Sequence, residues 1–126
     1  MALILIAEDA DLARDAMAAW LSDLGHAVVT AGDGAEAETA AEAHAVDLVV
    51  LDIWMPKLDG LSLMRRLRAR RPALPVVVIS GGGVRPSLEF ALAVARVEGA
   101  TQILIKPFDD RELAAAVDRA LAATVS

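Results

Sequence analysis

The 126-residue chain is 56% hydrophobic and carries no long polar tail, so it has the size of one domain with one core and no room for a second folded unit. Twelve basic residues against eighteen acidic ones leave a net charge of -6, which repels a nucleic acid backbone and argues against direct nucleic acid binding. Zero cysteines exclude a disulfide framework and a thiolate metal site, in keeping with a reducing cytoplasm.

The apolar opening at 1–7 lacks a basic flank and meets Glu8 and Asp9 at once, so it is no signal peptide, and no other run approaches the ~20 residues of a membrane span. It reads instead as a first strand over 3–7. Four further apolar runs of strand length follow at 27–31, 47–51, 76–79 and 102–105. All are rich in Val, Ile or Leu without polar alternation, as strands buried on both faces should be.

Helical spacing fills the gaps. Residues 12–24 place Leu12, Ala16, Ala19, Trp20 and Leu24 near one face, with Asp11 as N-cap and Gly25 as stop. Asp33-Gly34 opens an Ala-rich helix over 35–43, and Asp59-Gly60 opens another over 61–70 that Pro72 closes. Pro86 suits the first turn of a fourth helix over 87–98, which Gly99 ends, and acids in the first turn mark a last helix over 109–122. The order is (βα)₅ in a single domain spanning 1–126, and such alternation demands a parallel sheet with helices on both faces. No linker, low-complexity segment or attached effector domain is read in the chain.

The chemistry collects where the strands end. The first run ends in Glu8-Asp9, the third in Asp52, the fourth in Ser80 and the fifth in Lys106. In an open doubly wound sheet these ends form one edge, where ligands bind at the topological switch point. Two carboxylates ~5 Å apart repel by about 3 kcal/mol at an effective dielectric of ~20, so three together must take up protons or bind a cation. A hard divalent ion such as Mg²⁺ answers that need with few protein ligands. Lys106 adds a point charge and Ser80 a hydroxyl for phosphoryl oxygens, so the set suits phosphoryl transfer to a carboxylate.

These residues resemble a known family, the receiver domains of two-component response regulators. The resemblance rests on Glu8-Asp9, on Asp52-Ile53-Trp54-Met55-Pro56 with Asp59-Gly60, on Ser80-Gly81, and on Lys106-Pro107-Phe108, in order over essentially the whole chain. It implies a flavodoxin-like doubly wound parallel sheet of five strands in order 2-1-3-4-5. It further implies that Asp52 accepts a phosphoryl group from a phosphohistidine or a small acyl phosphate. Asp9, Asp52 and the Trp54 carbonyl would ligate Mg²⁺, Glu8 would act through metal-bound water, and Lys106, Ser80 and Gly81 would bind the phosphoryl group. Ser80 would trigger the switch, and Pro107 stands where the family has a cis bond. The implied partners are a histidine kinase or histidine phosphotransfer protein, and a downstream target on the face of the fourth helix, fifth strand and last helix. A phosphorylation-dependent homodimer is a further expectation. The chain looks like a stand-alone, chemotaxis-type member.

The resemblance makes Ser80, Ile103 and Pro107 the switch positions, but Ile103 departs from the pattern, because the family usually has an aromatic residue three positions before its lysine; Ile103 reads either as a plain core residue or as a sign that the switch uses another side chain. Trp54 either shields the aspartyl phosphate from water or covers its neighbours and contacts a partner. The glycines at 81–83 lack the motif of a nucleotide cradle and read as a loop. His26 and His44 stand alone on the solvent side, and Arg65, Arg66, Arg68, Arg70 and Arg71 read as a solvated face complementing the helix dipole. An aspartate-nucleophile phosphatase would need an aspartate two residues after Asp52, where this chain has Trp54, so turnover of phosphate esters is not expected. Two further readings are a phosphate sink or relay and a pseudo-receiver that is never phosphorylated. The complete set Glu8, Asp9, Asp52, Ser80 and Lys106 argues against the last.

Overall fold

Strand β1 (Leu3–Ala7), helix α1 (Asp11–Asp23), β2 (Ala27–Ala31), α2 (Gly34–Ala43), β3 (Leu48–Asp52), α3 (Gly60–Arg70), β4 (Val76–Ser80), β5 (Gln102–Ile105) and a C-terminal helix (Asp110–Ala123) follow one another along the chain. The structure, a computed structural model, describes residues 1–80 and 99–123. The predicted helix over 87–98, with Pro86 before it and the glycines 81–83, lies outside the described residues.

The five strands pair in parallel in the order β2-β1-β3-β4-β5, the flavodoxin-like topology expected. Strand alternation sends Leu5, Val49, Leu51, Val76 and Val78 toward Ala37 of α2 and Leu63, Met64 and Leu67 of α3. It sends Ile4, Ile6, Leu48, Val50, Val77 and Ile79 toward Met17 and Leu21 of α1 and toward Leu113, Ala116 and Val117 of the C-terminal helix. Each large side chain so buried contributes about 1.5–3 kcal/mol, which fixes the strands and therefore their C-terminal ends.

Only the central strands β1, β3 and β4 match the expectation of burial on both faces. Ala27 and Thr30 of β2 and Ile105 of β5 are exposed, because these strands are the sheet edges and lack a second neighbour. The inward face of α1 also differs from the one the spacing suggested. Met17 and Leu21 are buried, whereas Leu12 is 86% exposed and Leu24, the C-cap, is 57% exposed. Asp11 is the first helical residue, not the cap; Ala10 holds the N-cap position without a side-chain bond, and the Asp11 carboxylate pairs with Arg14 instead.

The other helix starts follow the sequence signals. Asp33 and Asp59 accept the backbone N–H groups of Glu36 and Ser62 at 2.8 and 2.9 Å. Asp109 and Glu112 form a reciprocal capping box, with Glu112 N–H donating to Asp109 Oδ1 at 2.8 Å and Asp109 N–H donating to Glu112 Oε1 at 3.2 Å.

Candidate functional site

Parallel register assembles the site. Ala7 pairs with Leu51, so Glu8 and Asp52 leave the sheet at one level, and Ser80 pairs with Ile105, so Lys106 follows beside it. Between β1 and β3 the order of strand addition reverses, which opens the crevice of a doubly wound sheet.

Glu8 is buried and held at four points. Its N–H donates to the Ala31 carbonyl at 3.1 Å, and its own carbonyl accepts from Arg14 Nη1 at 3.1 Å. Its carboxylate accepts from Ala10 N–H at 3.2 Å on Oε2 and from Lys106 Nζ at 2.7 Å on Oε1. Both carboxylate oxygens are thus engaged by the chain itself.

Asp52, the last residue of β3, is buried. Its Oδ1 accepts from Trp54 N–H at 2.8 Å and its Oδ2 from Lys106 Nζ at 3.1 Å. Its backbone is pressed by Gly60, where an added Cβ would sit 2.1 Å from the Asp52 carbonyl oxygen. Glycine is required there for close approach, and this explains Asp59-Gly60 after the loop that follows Asp52.

Asp9 is exposed beside them, and one oxygen from each of Glu8, Asp9 and Asp52 lies within 4.8 Å of the others. Three carboxylates and one ammonium leave two negative charges. Asp9 carries the strain: partial burial, then a hydrogen bond shared with Glu8 and the Glu8 charge, hold its carboxyl above the usual range. At Lys106 burial pushes the ammonium pKa down, but the Glu8 hydrogen bond and the Asp52 charge outweigh it and hold it above the ordinary value. Oxygen donors in a tight group with a residual charge of two fit a hard divalent cation such as Mg²⁺.

Ser80 is fully buried, and its Oγ has no hydrogen-bond partner among the described residues. A buried hydroxyl left unpaired costs about 1–3 kcal/mol, so it is poised for a further acceptor. Its carbonyl accepts from Lys106 N–H at 2.9 Å, which ties it to the lysine backbone. The Trp54 indole is 36% exposed and borders, with Asp9, Met55 and Pro56, an open hollow of about 410 Å³. Ile103 is half-buried against the core layer of α2 and α3, and the Lys106–Pro107 bond is cis. Gly81 lies outside the described residues.

One expectation needs correction. His26 is half-buried and structural, its Nδ1 accepting from Ala2 N–H at 3.1 Å; only His44 is exposed. Of the arginine run, Arg65, Arg66, Arg70 and Arg71 lie on an exposed face as expected, and Arg68 is the half-buried exception; several also tie neighbouring elements together. Arg66 and Arg70 pair with Glu38 and Glu42 of α2, and Arg71 donates to the Val46 carbonyl. Arg68 donates to the carbonyls of Leu74 and Gly99 and to Thr101 Oγ1. The facing acids at 38 and 42, four apart on a helix, were the signal. Sequence reasoning also missed Arg14, and the Asp33–Lys57 pair at 3.4 Å that straps the loop after Asp52 to α2, where Lys57 has a left-handed φ of 68°.

A family model described as the response regulator receiver domain matches residues 4–118. The chain belongs to the response regulator receiver family. It is 39% identical to the transcriptional regulatory protein PdtaR of Mycobacterium tuberculosis over 94% of this chain and 56% of that protein. Among solved structures it is similar to the receiver domain of NtrX from Brucella abortus, with 40% identity, a TM-score of 0.85 and coverage of 94% and 98% of the two chains. A receiver domain from Clostridium thermocellum is similar with 28% identity and a TM-score of 0.86, over 98% and 96% of the two chains. The chain spans about half the length of the curated relatives it matches. As a receiver domain it belongs to two-component signalling, in which members exchange phosphoryl groups with kinases or phosphodonors and act on downstream targets. Receiver domains generally bind Mg²⁺, and the acidic cluster here is one that could hold it. Among the described residues no helix is long and apolar enough to cross a membrane.

Proposed function

We propose that this receiver is a phosphorylation switch whose only catalysis is transfer to, and loss from, its own Asp52. The observation that carries the reading is the Lys106 ammonium bridging Glu8 and Asp52, which holds the acceptor oriented and next to a movable cation.

An Asp52 carboxylate oxygen attacks the phosphorus of a phosphohistidine or a small acyl phosphate in line. The new O–P bond forms as the N–P or O–P bond of the donor breaks, and the donor's imidazole or carboxylate leaves. Lys106 transfers its hydrogen bond from Asp52 to a phosphoryl oxygen while Glu8 keeps it near. The unpaired Ser80 hydroxyl donates to a second oxygen, and Gly81, by the family pattern, supplies a backbone N–H beside it. Asp9, Asp52 and the Trp54 carbonyl would hold Mg²⁺, with Glu8 behind them. When bound, the ion supplies charge neutralisation for the developing phosphoryl transition state. Trp54 at the rim slows water reaching the product, and its place two residues after the acceptor leaves no second acid to hydrolyse phosphate esters.

Phosphorylation then pulls Ser80 and Gly81 inward and alters the face of β5 and the C-terminal helix, where a target protein binds. Because Ile103 is aliphatic, Ser80 and Pro107 carry the switch without an aromatic rotamer partner. The donor is a histidine kinase or a histidine phosphotransfer protein, and the setting is the cytoplasm. Titration with beryllofluoride in the presence of Mg²⁺ tests the reading: tryptophan fluorescence should change in the wild type and not in Asp52→Ala. Size exclusion on the same samples reports whether the switch drives dimerisation. No fluorescence response in the wild type would refute the switch.

A further inference from the structure

We propose that Arg14 is a positioning residue of the divalent-cation site, acting through the Glu8 carbonyl to aim Asp9; the inference rests on the metal reading above. Asp9 is exposed, so its direction depends on the backbone that carries it. The peptide plane between Glu8 and Asp9 is the part of that backbone Arg14 grips.

The Arg14 side chain is only 19% exposed, in contrast to its neighbour Leu12 in the same first turns of α1. Its guanidinium turns back over the loop it follows. Nη1 donates to the Glu8 carbonyl at 3.1 Å and Nη2 to Asp11 Oδ1 at 2.6 Å, while its own N–H donates to the Ala10 carbonyl at 2.9 Å. Three points of the 8–11 loop are thereby tied to one residue. Gly32 closes the other side, where an added Cβ would stand 3.3 Å from Nη1, so the guanidinium has little room to swing. The planar fork reaches two acceptors in fixed geometry, which an ammonium or an amide cannot reproduce.

Groups behind a ligand shell that orient the ligands typically change metal affinity about 10–100-fold when removed. The effect should fall hardest on Mg²⁺, whose octahedral shell tolerates little misplacement, and less on Ca²⁺, which accepts flexible geometry. A merely structural arginine would lower stability without changing that ratio.

The test is calorimetric titration of wild type, Arg14→Met, Arg14→Lys and Asp52→Asn with Mg²⁺ and with Ca²⁺, beside thermal unfolding in EDTA. Arg14→Met should bind Mg²⁺ at least about tenfold more weakly, with a smaller loss for Ca²⁺, and Arg14→Lys should fall between. Should Arg14→Met fail to fold, Arg14→Gln, too short to grip both acceptors, is judged by the same ratio. Unchanged Mg²⁺ affinity, or equal losses for both ions together with a lowered unfolding midpoint, would overturn the inference and leave the metal reading standing. A wild type that binds no more Mg²⁺ than Asp52→Asn would overturn both.

Discussion

Lys106 and Glu8, ninety-eight positions apart in the chain, are joined by a 2.7 Å ammonium–carboxylate hydrogen bond at the centre of the site. The same ammonium reaches Asp52 at 3.1 Å, so it is the internal counter-ion of two buried acids. Any anion that forms on Asp52 inherits a cation already in place.

Removing that cation should cost stability before it costs function. Lys106→Met should destabilise the protein by about 2 kcal/mol, below the 3–5 kcal/mol of a fully buried pair because the lysine side chain is 29% exposed. The pH dependence has a defined sign. The folded pKa of Lys106 lies above 10.5, so its contribution is complete below that pH and fades as pH rises through the folded value. Denaturant midpoints in EDTA should fall in that alkaline window for the wild type more steeply than for Lys106→Met.

Removing Asp9 should have the opposite effect on stability, although its pH dependence runs in the same direction. Its folded pKa lies above 3.8, so the folded state holds its proton more tightly than the unfolded chain, and stability drops as pH rises from about that value. Asp9→Asn should therefore be more stable than the wild type at neutral pH in EDTA, by roughly 0.5 kcal/mol since the residue is exposed. Added Mg²⁺ should raise the unfolding midpoint of the wild type and not that of Asp9→Asn, which differential scanning fluorimetry would read.

Gly60→Ala probes the backbone under the acceptor. Its Cβ would lie 2.1 Å from the Asp52 carbonyl and 2.8 Å from Ile53 Cα, contacts relieved only by moving β3 or the start of α3. A loss of about 3 kcal/mol is expected by urea unfolding, together with slower phosphoryl uptake.

The arginines of α3 should separate by burial. Arg68→Ala strips hydrogen bonds from Leu74, Gly99 and Thr101 and should cost about 2 kcal/mol, because the acceptors are left unpaired. Arg66→Ala removes a single ion pair with Glu38 whose arginine is 58% exposed and should cost about 0.5 kcal/mol. Chemical denaturation of the two variants side by side distinguishes them.

The sheet and its chemistry were legible because four of the five strand-length apolar runs ended in a polar residue. Glu8, Asp9, Asp52, Ser80 and Lys106 needed only parallel pairing to become neighbours. Side-chain direction within helices was less legible. Leu12 and Leu24 share a face with Trp20 by spacing, but the sheet receives Met17 and Leu21 and leaves the two helix ends outside. The arginine run is exposed as read, but its partners were not legible for a related reason: whether Arg66 and Arg70 meet Glu38 and Glu42 depends on how α2 lies on α3, which neither helix specifies alone. The grip of Arg14 on the site was invisible because the partner that matters is the Glu8 carbonyl, and backbone carbonyls leave no trace in residue identity.

Intact mass after incubation with acetyl phosphate and Mg²⁺ tests phosphoryl acceptance at Asp52 most directly. The wild type should gain the mass of one phosphoryl group, mapped to the peptide holding Asp52, and Asp52→Ala should gain none. A wild type of unchanged mass, or a phosphoryl group that persists in Asp52→Ala, would contradict it.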